Sequence, residues 1–304
     1  MTFAQGARNQ LAIRLQPDFL TQATGNYQAI PITGHTLDLS KGALESQTLR
    51  SDREVQDFRH GARSVAGSIN TEFRYGAYDD LIQSAMFAPW ASSEIGIGTN
   101  PFFFSAEDGQ LDINQFRMFN GILVSRMGIS IQANSMVTAT FDVVGRQMTQ
   151  SGTTGAGSVV AASTNQPFDS FSGAVFDQFP SSGAEVATIT GIDFQVDNGV
   201  SPTFVVGDSI APALQYGRGR VTGNMTVYYR DATFVNRFLN ETEFAMYVTV
   251  VDPAGNDIAF TFPRVKLGGA AVPVNNEQAR ILTAPFVALK PTSGTITTAL
   301  RIQR

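Results

Sequence analysis

Apolar and polar residues alternate along most of this chain, in short runs punctuated by glycine, asparagine and aspartate. The alternation is clear in residues 28–39, in "VAGSINTEFRY", "QFRMFNGILVSRMGISI" and "SMVTATFDVVGRQM", and later in "ITGIDFQVDNG", "VTGNMTVYYR", "AFTFPRVKLGGAAVPV" and "ARILTAPFVAL". A period of two predicts strands with one buried face. Asn134 and the run Asp252 to Asp257 supply turn chemistry between them. Two stretches keep a helical period instead. In "GAYDDLIQSAMFAPW", Tyr78, Leu81, Ile82, Ala85 and Met86 fall on one face, Asp79 and Asp80 complement the helix dipole, and Pro89 ends the run. In "DATFVNRFLNET", Asp231 is a candidate N-cap and Phe234, Val235, Phe238 and Leu239 share a face. The predicted class is mainly β (α+β), with a short helix covering a sheet in each half.

The pattern also repeats. "HGARSVAGSINTEFR" (His60 to Arg74) lies over "YGRGRVTGNMTVYYR" (Tyr216 to Arg230), pairing Gly61 with Gly217, Val65 with Val221, Gly67 with Gly223 and Arg74 with Arg230. Upstream, "ITGHTLDLSKG" (Ile32 to Gly42) matches "ITGIDFQVDNG" (Ile189 to Gly199), with Leu37 and Leu39 facing Phe194 and Val196. The offsets are 156 (217 − 61) and 157 (189 − 32), so a slip of one residue reconciles the two windows. Collinear windows at one offset predict an internal duplication. The predicted boundaries are a first domain over 1–150, a Gly/Ser/Thr-rich connector over 151–185 and a second domain over 186–304. The glycines of "GRGRVTG" then serve turns and strand entry. Their spacing and the alternating strand that follows do not suit a phosphate loop, which opens a helix.

Between the matched windows each half carries a polar insert, "SKGALESQTLRSDREVQDFRHGARS" in the first and "VSPTFVVGDSIAPALQYGRGR" in the second. Long inserts in a compact domain tend to be functional. Both are read as arms reaching a neighbouring subunit, a mobile surface loop being the alternative. The candidate contact residues are Asp52, Arg53, Glu54, Asp57, Arg59 and Arg63 in the first arm, and Asp208, Arg218 and Arg220 in the second. Their mixed sign suits mutual ion pairing between subunits. The connector is expected to be partly ordered, because Phe168, Phe171, Phe176 and Phe179 interrupt its flexible composition. "NPFFFSAEDG" reads as the buried start of a strand, with an exposed contact patch as the alternative.

Composition narrows the chemistry. Charged residues are 15%, low enough for a surface largely covered by other protein. With no cysteine there is no disulfide framework and no thiolate site. The two histidines, His35 and His60, stand in no metal-ligand spacing and beside no nucleophile elbow, so no catalytic, metal or cofactor site is expected. A net charge of −5 argues against a protein that holds nucleic acid by neutralising phosphates. The N-terminal stretch lacks a continuous apolar run, and no segment is long and apolar enough to span a bilayer; a soluble protein made in the cytoplasm is expected.

These features together resemble a known family. A polar insert with a Ser-Asp-Arg element (Ser51 to Arg53), glycines at 61 and 67, an acidic Glu72, the Tyr78–Asp79 helix start and Trp90 near the helix end are similar to the tail tube (major tail) proteins of long-tailed bacteriophages, in the class with two tube domains per subunit. The second half keeps the layout, with Tyr228 where the first has Glu72 and with no tryptophan. The resemblance implies two tandem β-sandwich or barrel-like domains, each with a flanking helix, in a structural, non-enzymatic virion protein. It implies homotrimeric rings of pseudo-sixfold symmetry, stacked head to tail into a hollow tube through which DNA passes without being held. The implied partners are further copies of the chain, tape-measure, tail terminator and distal tail proteins, and DNA in transit, with no membrane insertion. The implied location is the virion tail, after synthesis in the host bacterial cytoplasm. The alternative is a related β-rich assembly module: a tail terminator, a capsid decoration protein or a secretion-type tube ring.

Overall fold

The computed structural model describes residues 3–48, 54–55, 57–176, 189–274 and 279–304. Ten strands precede the connector: β1 (Asn9–Leu15), β2 (Asn26–Ala29), β3 (Gly34–His35), β4 (Asp38–Glu45), β5 (Phe58–Glu72), β6 (Glu94–Gly96), β7 (Phe104–Gln110), β8 (Gln115–Gln132), β9 (Thr138–Gly145) and β10 (Gln147–Ser151). The connector holds β11 (Ser158–Val160) and β12 (Ala174–Phe176). Eight strands follow: β13 (Ile189–Asp197), β14 (Ser201–Thr203), β15 (Ala213–Gln215), β16 (Arg220–Tyr228), β17 (Phe244–Val251), β18 (Asp257–Leu267), β19 (Ile281–Ala288) and β20 (Arg301–Gln303). Among the described residues there are two α-helices, α1 (Asp79–Met86) and α2 (Thr233–Leu239). The mainly β class expected from the alternation is the class observed.

Each half is built on the same antiparallel ladder. In the first, β4–β5, β5–β9, β9–β8 and β8–β7 are paired; in the second, β13–β16, β16–β19, β19–β18 and β18–β17. The registers correspond as well. Leu39 faces Val65 where Val196 faces Val221, and Val65 faces Gly145 where Val221 faces Ala288. Even an irregularity recurs at matching places: the register slips between Phe104–Ile122 and Ala106–Phe119, and again between Phe244–Val265 and Met246–Phe262. A bulge bends and twists its strand, so these shared slips give β8 and β18 the same local bend.

The two ladders join through β8 and β13, antiparallel, with Arg126 facing Asp197 and Gln132 facing Gly191. One run of eight strands therefore crosses the whole chain, in the order β4, β5, β9, β8, β13, β16, β19, β18. One hydrophobic core lies behind it. The Phe73 ring stacks on Tyr78 at 5.9 Å and meets Phe168 of the connector at 5.7 Å and Phe260 of the second half at 6.3 Å. The C-terminal β20 returns to pair with both β18 and β6.

The helices take the positions their periodicity gives, with different burial. α1 buries Leu81, Ile82, Ala85 and Met86 and ends in a left-handed Phe87 (φ 52°), two residues before Pro89. Trp90 lies beside it, with the Arg304 guanidinium 4.3 Å from its ring centroid. At the other helix the N-cap is Ala232, one residue after the expected Asp231, which accepts from the Thr233 amide at 2.9 Å, and α2 buries none of its residues fully: Phe238 and Leu239 stay exposed. The described part of the connector, 151–176, pairs with both halves. β11 pairs with β2 and β12 with β17, and Phe168 is buried, whereas Phe171 is 75% exposed. Phe179 lies outside the described residues. Of the three adjacent phenylalanines, Phe104 opens β7 and is fully buried, in keeping with a strand start.

Two buried carboxylates act in the first half, one latching the connector and one tying strands of that half together. Glu107 accepts from Thr154 Oγ1 and from the Gly155 and Ala156 amides, latching the connector. Asp108 accepts from Arg117 Nε at 2.8 Å and from Asn9, with His35 Nε2 at 3.3 Å. Burial opposes its charge, and the hydrogen bonds from His35, Asn9 and Arg117 outweigh that, holding its pKa down at about 2. A depressed carboxylate contributes stability above its unfolded pKa and loses it as pH falls through the folded value. Between pH about 4 and about 2 the parent should lose up to about 2 kcal/mol from this group. Urea unfolding of Asp108→Asn against the parent across that window should show the parent losing the more of the two; equal losses would refute the linkage.

Candidate functional site

The eight-strand run has an apolar face against the core and a polar face open to solvent, as strict alternation requires. Ser68 and Asn70 of β5, Thr138 and Thr140 of β9, Ser130 and Gln132 of β8, Asp193 and Gln195 of β13, and Thr222 and Asn224 of β16 share the open face. They are tied sideways across strands: Thr140 Oγ1 donates to Asn70 Oδ1 at 3.1 Å, Gln132 Nε2 to the Asp193 carboxylate at 2.9 Å and Gln195 Nε2 to Thr222 Oγ1 at 3.4 Å. Around the β8–β13 junction the face forms a shallow concavity of about 430 Å³, lined by Ser130, Thr138, Thr140, Asp193, Gln195, Thr222 and Asn224.

Charge on this face is mainly negative. Over β4, β5, β9, β8, β13 and β16 it carries Asp38, Glu72, Asp142, Asp193 and Asp197 against Arg126 and Arg220, with Arg117 3.7 Å from Asp38 and Arg74 3.7 Å from Glu72. Arg126 is itself 3.7 Å from Asp142. At the far end, Lys266 and Arg264 of β18 are engaged by Glu241 and Glu243. Among the described residues the face is a wetted surface of hydroxyls, amides and carboxylates in which the carboxylates outnumber the arginines, an unsuitable surface for neutralising a polyphosphate backbone.

Two arms flank the face. The first insert is a β-hairpin whose ladder runs from Leu39–Val65 out to Glu45–Phe58. Its polar sequence had suggested an interruption between strands, because both faces of the hairpin meet solvent and alternation is lost. In the second insert β14 and β15 pair with each other, and the arms touch where the Arg63 amide donates to the Ser209 carbonyl at 2.7 Å. Buried Asn198 fixes the base of the second arm, its Nδ2 donating to the Ala85 carbonyl at 2.8 Å.

Among the sequence candidates, Asp52 and Arg53 lie outside the described residues. Glu54 is exposed, Asp57 and Arg59 pair with each other at 3.5 Å, and Asp208 accepts from the Ile210 amide within its own turn at 2.8 Å. Arg218 and Arg220 sit at the root of the second arm, lining a recess of about 760 Å³ with Lys290 and Ile97. The structure thus brings Arg63 beside the turn after Asp208 and leaves Arg218 and Arg220 apart. What the charge pattern missed is apolar: Leu44, Val55 and Phe58 on the first arm and Phe204, Val205 and Val206 on the second are exposed. The signal was present as a Phe-Val-Val run inside an otherwise polar insert.

Among the described residues no helix is long and apolar enough to cross a membrane. Comparison with curated proteins gives no match. The family model for phage tail tube proteins covers residues 6–288, from before β1 through β19, and the chain belongs to that family of structural virion tail proteins.

Proposed function

We propose that this chain polymerises into stacked rings that form a hollow tail tube, and that the genome passes along the polar face of the eight-strand run. In this reading the two halves are copies of one domain, and three chains make a ring of six domain positions. The observation that carries it is the repeated ladder, with matching registers and a matching slip in each half, joined into one sheet at β8–β13. A sheet that continues through one such junction can continue through others, and closure into a ring removes the exposed edges. The negative potential of the polar face suits passage of DNA without retention.

Rings stack through a heterologous contact, which grows into a filament because it does not close. The arms are assigned to contacts between subunits and rings, through Asp52, Arg53, Glu54, Asp57, Arg59 and Arg63 on one and Asp208, Arg218 and Arg220 on the other. Their exposed Val55, Phe58 and Val206 give those contacts an apolar centre. Tape-measure, terminator and distal tail proteins are the further partners of such a tube, and the chain is made in the bacterial cytoplasm before assembly.

Electron microscopy of the purified protein, with averaging of end-on views, tests the reading. The expected result is hollow rings of sixfold outline with threefold modulation. Solid particles, or rings with another symmetry, would overturn it.

A further inference from the structure

The two outer edges of the eight-strand run carry the halves of a junction that the chain already displays once. Inside the chain, β8 meets β13 with Met127 facing Val196, Ile129 facing Phe194 and Ile131 facing Ile192. Ladder registers map β8 onto the segment that leaves β18, at an offset of 143: the Gly128–Thr140 pair corresponds to the Ala271–Thr283 bridge. They map β13 onto β3 and β4 at an offset of 157 (196 − 39). The counterparts of β8 and β13 are therefore 270–274 at one edge and 35–39 at the other, and among the described residues neither edge has a ladder partner on its outer side.

We infer that these edges join between neighbouring copies of the chain, antiparallel, with Ala270 facing Leu39, Ala271 facing Asp38, Val272 facing Leu37, Pro273 facing Thr36 and Val274 facing His35. This inference rests on the ring reading and gives that ring its register.

Three features of the edges fit this pairing. The first is side-chain pattern: Ala270, Val272 and Val274 occupy the places of buried Met127, Ile129 and Ile131, and Val274 is left 72% exposed in the single chain. The second is backbone direction. Ala271 exchanges both its hydrogen bonds with Thr283, so in a strand the groups of Ala270, Val272 and Val274 point to the open side. Pro273, which has no N–H, falls in phase with Ala271 and so removes no donor from the open edge. On the other edge the Thr36 amide donates inward to Ser68, which turns the backbone N–H and C=O groups of His35, Leu37 and Leu39 to the open side while the Leu37 side chain stays in the core.

The third feature is how edge groups are satisfied in the single chain. The Leu39 amide donates to the neighbouring Asp38 carboxylate at 2.8 Å, and the Val272 carbonyl accepts from Arg280 Nη2 at 2.8 Å. Side chains occupy these groups where a ladder partner would, and they can swing away as a neighbour docks. A laterally open edge held in this way is the kind that pairs with another strand.

The absence of native cysteine makes the register readable. Asp38→Cys with Ala271→Cys places two exposed thiols at a directly facing pair, within the Cα separation a disulfide needs. Thr36→Cys with Pro273→Cys tests the same register independently. Gln195→Cys with Gly128→Cys is the internal control, since that pair is the counterpart already joined in the chain and Gly128 has room for a Cβ.

Each variant would be checked by circular dichroism, imaged for rings, oxidised, and run on denaturing gels. The expected result is a covalent ladder ending at the closed ring for either inter-chain pair, and none for the slipped pair Asp38→Cys with Pro273→Cys. Rings that form but cross-link at neither predicted pair, or only at the slipped pair, would overturn the register while leaving the ring reading intact. Neither rings nor cross-links, from variants that fold, would overturn both.

Discussion

Phe119→Ala and Phe262→Ala are each expected to lower the unfolding free energy by about 3–5 kcal/mol, the range for emptying a buried aromatic site. Both rings are fully buried, and each sits on the inner flank of the register slip in its own half. Phe262 meets Phe194 at 5.1 Å and Phe286 at 5.9 Å, so its loss opens a void between β13, β18 and β19. The more telling part is the shape of the transition. One core joins Phe168 and Phe260 through Phe73, and β20 bridges β18 and β6. Either substitution should therefore shift a single cooperative urea transition with little change in its slope. Two transitions, with only one displaced by each variant, would mean that the halves fold independently.

How much of this was legible in the sequence depends on which force fixes each feature. Val65, Gly67 and Gly223 were readable because close strand approach forbids a Cβ at the glycines and the core requires the valines. The matching slips at Phe104 and Phe244 left no comparable trace, because a bulge is a backbone property that many side chains tolerate. The first arm looked like a loop because a hairpin wet on both faces has no reason to alternate. The face of α2 was read correctly as apolar, but periodicity cannot say whether a cover is present, and Phe238 and Leu239 remain open. Glu107 and Asn198 were invisible for a related reason: each acts through backbone groups distant in sequence, at Gly155 and Ala156 and at Ala85. The β8–β13 junction joins strands whose facing residues, such as Gln132 and Gly191, are far apart along the chain, and no local pattern announces it.

Gly223→Ala and Gly67→Ala are each expected to cost about 3 kcal/mol, in keeping with the corresponding places the two glycines hold. A Cβ on Gly223 would lie 2.5 Å from the Asp193 carbonyl oxygen and would collide with the Phe286 ring, so β13 and β19 hem it in from both sides. Neither neighbour can retreat, because β13 is held by β8 and Phe286 by the core. A Cβ on Gly67 would lie 2.6 Å from the Thr36 oxygen and 2.7 Å from Leu37 Cα, backbone atoms of the link between β3 and β4, and Leu37 is itself anchored in the core. Relieving that clash means shifting the link, which displaces His35 to Leu39, the edge assigned to the next copy of the chain. Gly67→Ala should therefore melt below the parent and, where still folded, fail to form rings, whereas Gly223→Ala, at a similar loss of stability, should leave that edge in place. Calorimetry beside electron microscopy separates the two effects. A Gly67→Ala protein that assembles as well as the parent would show that the edge of β3 and β4 plays no part in the contact.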